Sequence, residues 1–176
     1  ILKNRDNTSR NRMKQERFAI YGFETKIPSD WRVEMNQKTT REQGDIAFQS
    51  PNGNRVFVSW GPLSKASRFK TLEEHRDNSI KQLRKGSEVK SLDVSDLKEM
   101  QIMGHRALIS HVTTEVRAGM MGRNIASRDI WSVHFHCQEL QRYYVMFSME
   151  RDHEEFEDMG AVFESFVEGV ECHPTS

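Results

Sequence analysis

Trp131-Ser132-Val133-His134-Phe135-His136-Cys137, followed after a short turn by Arg142-Tyr143-Tyr144-Val145-Met146-Phe147, reads as two adjacent strands of a sheet. In the first, Trp131, Val133, Phe135 and Cys137 alternate with polar residues, so His134 and His136 face the other side. The second, Tyr143 to Met149, is apolar on both faces: Tyr143, Val145, Phe147 and Met149 on one, Tyr144 and Met146 on the other. A strand of that kind belongs in the middle of a sheet covered on both sides.

Outward from this hairpin, Phe18, Ile20, Phe23 and Ile27 suggest a strand with Gly22 as a bulge, ending at the turn Pro28-Ser29-Asp30 before a core Trp31. Ile46 and Phe48, then Val56, Val58 and Trp60, alternate on either side of Asn52-Gly53, a hairpin signal ended by Gly61-Pro62. Thr71 and Glu74 form a capping box for a helix over 71–85, with Gly86 expected as its left-handed C-terminal cap and Leu72, Ser79, Ile80 and Leu83 on one side. Two strands are expected over 98–103 and 106–116, joined at Gly104-His105, and then a loop from Arg117 to Arg128. Asp152 and Glu155 open a last helix with a stripe of Phe156, Met159, Phe163, Phe166, Val167 and Val170 against an acidic outer face. Two helices and one mostly antiparallel sheet imply an α+β fold with a helix on each face, an α/β/α sandwich.

The chain of 176 residues fits one domain, and at that length burial of roughly 70% of the unfolded surface is attainable without a metal or disulfide. Residues 1–17 are expected as a polar basic arm (Lys3, Arg5, Arg10, Arg12, Lys14 and Arg17 against Asp6 and Glu16), and residues 18–176 as the folded unit. Lys and Arg number 26 and Asp and Glu 26, which argues against nucleic acid as partner and leaves a solvated arm as the expectation. No apolar run approaches the roughly 20 residues of a membrane span, and no signal-peptide core is seen. The compartment stays open, with the cytoplasm favoured over a secreted or lumenal setting. Because the chain starts at Ile1, a segment upstream of it is an open question.

Three constellations stand out. If the strand before the hairpin pairs so that Val116 faces Asp129, His111 falls opposite His134 and Ile109 opposite His136. His111, His134 and His136 would then share one patch, a donor set suited to zinc or another divalent metal. A one-residue slip would remove His111, and locally hydrogen-bonded histidines are the simpler expectation. Cys137 on the core face and Cys172 after the last helix are the second constellation, expected as two buried thiols or a disulfide. His136 and His173 flank them, but strand phase turns His136 away, which ranks a Cys2His2 metal site below both. Third, Arg117, Met120, Met121 and Arg123 lie in a glycine-containing loop whose composition suits a protein partner, or else caps the edge of the fold. Nucleotide-binding, nucleophile-elbow and zincin motifs are all missing, and the strand phase of Cys137 argues against a reactive nucleophile.

The order of elements resembles the superfamily of the photosystem extrinsic protein PsbP and the Ran-binding protein Mog1. The resemblance rests on Ile27-Pro28-Ser29-Asp30-Trp31, Leu72-Glu73-Glu74-His75, Gly104-His105-Arg106-Ala107, Tyr143-Tyr144-Val145-Met146-Phe147 and the closing helix over 162–167. It implies a compact sandwich used as a non-catalytic accessory or protein-binding module, without a shared active site or cofactor. The alternative is a metal-binding regulator or metal-dependent enzyme built on the histidines.

Overall fold

The computed structural model describes residues 14–86, 88–118, 124–149 and 159–173. Two short turns show why the strands reverse where they do. Tyr21-Gly22 and Met103-Gly104 each place two consecutive residues at positive φ (51° and 85°, 50° and 83°), the backbone of a two-residue hairpin turn. The first joins β1 (Gln15–Ile20) to β2 (Phe23–Pro28), so Gly22 is the tip of a hairpin and not a bulge. Since β1 begins at Gln15, the last three residues of the expected basic arm are strand.

The second turn joins β6 (Val89–Ile102) to β7 (His105–Ala118), and it lies one residue earlier than expected. Between these hairpins come β3 (Arg32–Met35), β4 (Gly44–Gln49), β5 (Arg55–Pro62), the single turn α1 (Leu63–Ala66) and α2 (Leu72–Arg84). β8 (Asn124–Cys137), β9 (Arg142–Met149) and α3 (Met159–Glu168) complete the chain. β7 runs to Ala118 and β8 starts at Asn124, so Arg117 at one end of the expected loop and residues 124–128 at the other are strand. Met120, Met121 and Arg123 lie outside the described residues, as do Asp152, Glu155 and Phe156.

Every strand pairing among the described residues is antiparallel, in a seven-stranded sheet of order β3-β4-β5-β9-β8-β7-β6 and a separate β1-β2 hairpin. β9 stands in the centre, as its two apolar faces require. The long edge strand β6 is interrupted by two register shifts, near Ser91 and after Val94, which discourage pairing with another chain.

α2 begins where the capping box expects it, with Thr71 Oγ1 accepting from the Glu74 amide at 3.1 Å, but Gly86 is not at positive φ and instead continues the last turn by donating to Leu83 O at 3.1 Å. α2 touches β6, β7 and β8, and α3 touches β2 and β8. The main core joins Met159, Phe163, Phe166 and Val167 of α3 to Phe23, Phe48, Phe135 and Tyr144. Past α3, an isolated bridge ties the tail to β2: Glu24 N donates to Glu171 O at 2.7 Å, and Glu171 N to Glu24 O at 2.8 Å. No helix among the described residues is long and apolar enough to cross a membrane.

Candidate functional site

His134 and His136 project from β8 on the face opposite Phe135, and α2 delivers His75 to them. His75 Nδ1 lies 3.2 Å from His136 Nε2, and His134 Nε2 lies 2.9 Å from Ser79 Oγ. Burial disfavours the charged form of all three imidazoles. It lowers His75 to about 4, with the neighbouring His136 and Arg68 adding to the effect. It lowers His134 to about 3, helped by His75 and Arg76, and it lowers His136 as well. His134 Nδ1 is buried without a hydrogen-bond partner.

His111 does not join them. Val116 pairs with Ala126, three residues short of Asp129, and His111 therefore stands opposite Trp131 while Leu108 faces His134. An odd shift moves every side chain to the other face. There His111 stacks on Trp131 at 4.0 Å between ring centres and bonds Ser95 Oγ and Asp129 Oδ1 at 2.7 and 3.0 Å. The expected metal patch of His111, His134 and His136 is thus split between two faces of the sheet.

The same register assembles a different cluster. Two further steps from the Ala107–Phe135 pair bring His105 opposite Cys137 at the end of the sheet. The tail held by the Glu171 bridge then delivers Cys172 and His173. One ligand atom each from His105, Cys137, Cys172 and His173 lies within 4.8 Å of the others. His173 Nδ1 is 3.3 Å from Cys172 Sγ and 3.7 Å from Cys137 Sγ. Both cysteines are free and fully buried. Burial, reinforced by the neighbouring Cys137, pushes the Cys172 thiol far above its usual range. Glu139 Oε2 lies 3.0 Å from His105 Nε2, a buried nitrogen that makes no hydrogen bond.

Sequence reasoning brought the two cysteines together but missed His105, which looked like a turn residue. It missed His75 too, which looked like part of a helix-opening phrase. A long-range register and a helix docking angle place them, and neither leaves a local signal.

A third feature lies where α2 ends before the sheet does. A cleft of about 470 Å³ opens between the end of α2 and the far halves of the long strands, lined by Leu83, Val89, Val116, Ile130 and Met149 together with the charged Glu88, Arg128 and Asp129.

No protein-family model and no curated protein sequence matches the chain. Solved structures do. Cyanobacterial PsbP from Synechocystis sp. PCC 6803 is similar at 9% identity and a TM-score of 0.66, over 92% of this chain and 94% of that one. The Saccharomyces cerevisiae Ran-binding protein Mog1p matches at 9% identity and a TM-score of 0.59, over 91% and 96%. A Pseudomonas aeruginosa protein of unknown function, PA94, matches at 9% and 0.52, over 92% and 99%. The chain has the Mog1/PsbP-like fold, with only the fold shared at this identity.

Proposed function

We propose that this Mog1/PsbP-like fold serves as a non-catalytic accessory module that binds a protein partner through the cleft beside α2. The observation that carries this is the apolar lining of that cleft. Leu83, Val89, Val116, Ile130 and Met149 surround a space of about 470 Å³, the size that receives one or two large side chains. Met149 is 39% exposed there, a large apolar group left in water unless something covers it. The likeness to a protein described as Ran-binding supports a protein as the occupant. His75, bonded to His136, and His134, bonded to Ser79 of the cleft lining, both have lowered values that suit structure better than proton transfer at pH 7.

This reading takes the architecture as an α/β/α sandwich. Ser79 of α2 meets His134 of β8, whereas Phe163 of α3 shares a cluster with Phe135, the next residue of the same strand. Adjacent residues of a strand point to opposite faces. The cleft is then the part of the α2 face that the helix is too short to cover.

A photoreactive residue at Gln82, which lines the cleft, tests the proposal in extracts of the source cells. The expected outcome is one discrete adduct, competed away by unlabelled protein but not by its Met149→Arg variant. The same group at Met35, on the β3 edge, should not give that adduct. Equal adducts from both positions, or equal competition by both proteins, would refute the cleft as the contact.

A further inference from the structure

We propose that His105, Cys137, Cys172 and His173 form a Cys2His2 site for one divalent cation of the zinc class, which clasps the C-terminal segment onto the end of the sheet. Three observations converge on it. The four donors are of the type and number that make a closed tetrahedral centre. Their spacing already approaches that of a bound set. Zinc–sulfur and zinc–nitrogen bonds of about 2.3 and 2.0–2.1 Å imply donor separations of about 3.3–3.8 Å in a tetrahedron. The pairs of His173 Nδ1 with the two sulfurs, at 3.3 and 3.7 Å, fall inside that range, and the whole group lies within 4.8 Å. The last observation is a buried ring edge: the His105 side chain is 9% exposed, and its Nε2 makes no hydrogen bond although the Glu139 carboxylate lies 3.0 Å away.

The backbone is built to hold such a site. His105 follows the tight Met103-Gly104 turn, and Cys137 ends β8 across from it. Cys172 and His173 follow directly on the Glu24–Glu171 bridge. Donors from two strands and a tail converge with little chain left free between each donor and an ordered element. With four protein donors no coordination position remains open for substrate, so the metal acts as a clasp and not a catalyst. Binding converts both thiols to thiolates and releases their two protons to solvent.

The test uses the full chain made without a polyhistidine tag, reduced, freed of metal with a chelator, and titrated with Co²⁺ alone. The expected result is saturation at one Co²⁺ per chain, with a thiolate-to-cobalt charge-transfer band and tetrahedral ligand-field bands that Zn²⁺ bleaches. Cys172→Ser and His105→Ala should each weaken binding by more than ~100-fold, beyond the loss typical of an outer partner. His75→Ala, in the other histidine cluster, should leave the titration unchanged. Because Cys172 is fully buried and its replacement could unfold the tail, His173→Gln at a half-buried position carries the test independently, with far-ultraviolet circular dichroism confirming the fold. A folded, reduced chain that takes up no Co²⁺ would overturn the site, and so would a spectrum indifferent to Cys172→Ser, His105→Ala and His173→Gln. Isolation of a Cys137–Cys172 disulfide whose reduction yields no metal binding would overturn it as well.

Discussion

His75 Nδ1 on α2 and His136 Nε2 on β8 lie 3.2 Å apart, and a hydrogen bond at that distance requires at least one of the two rings to be neutral. His75 also lies over Phe69 at 4.7 Å and meets Tyr143 edge-on at 5.3 Å, so the helix is fastened to the sheet by uncharged rings.

Acid should loosen that fastening. The folded-state values of His75 and His134 lie below 6.5, at about 4 and about 3, and that of His136 is lowered too. The unfolded chain therefore takes up protons first as pH falls. Stability is complete above about pH 6.5 and declines as pH drops towards 4, by up to about 1.4 kcal/mol per pH unit for each histidine involved. Arg68 and Arg76 oppose protonation further. Urea midpoints should hold level from pH 7.5 to about pH 6.5 and fall from there to pH 4.5, and His75→Phe should flatten the slope.

His111 should behave differently. It is on the other face, stacked on Trp131. The His111→Ala variant is expected to alter tryptophan fluorescence while leaving the acid slope carried by His75, His134 and His136 in place. A loss of that slope would mean the imidazoles share one cluster after all.

Removing the cap of α2 should weaken the whole face. Thr71→Ala deletes the oxygen that accepts from the Glu74 amide at 3.1 Å, at a cost of about 0.5–2 kcal/mol. Chemical denaturation reads the loss, and Thr71→Ser should recover most of it.

Gly44 should refuse a methyl group. A Cβ there would lie 2.6 Å from Trp60 Cζ2 and 2.5 Å from Thr39 Cγ2. Trp60 is 2% exposed, with its Nε1 donating to Arg41 O at 3.3 Å, so the indole has little room to retreat. Gly44→Ala is expected to cost about 1–3 kcal/mol and to shift the Trp60 emission.

The interior of α3 gives the largest expected effect. Phe163 is 1% exposed in the cluster with Phe135 and Tyr144, and Phe163→Ala should cost about 3–5 kcal/mol by thermal or urea unfolding.

Much of the fold was legible because local chemistry carries it. Alternation over 131–137 and 143–149 set the two faces of β8 and β9, and the double-sided apolarity of β9 placed it at the centre. Thr71 and Glu74 started α2, and the stripe from Met159 to Val170 named the buried side of α3. These signals act within one element, where period 2 or 3.6 relates neighbours directly.

What one strand offers to the next was decided by tertiary structure. Period 2 says that His134 and His136 share a face, but it does not say whether His111 shares it. That depends on the pairing of β7 with β8, where Val116 meets Ala126. An odd difference of three residues takes His111 to Trp131 and brings His105 to Cys137. The docking of α2 likewise supplied His75, and the Glu24–Glu171 bridge supplied Cys172 and His173. Elements are written in local periodicity; the two clusters exist only through contacts between residues far apart in the chain, which no local pattern encodes.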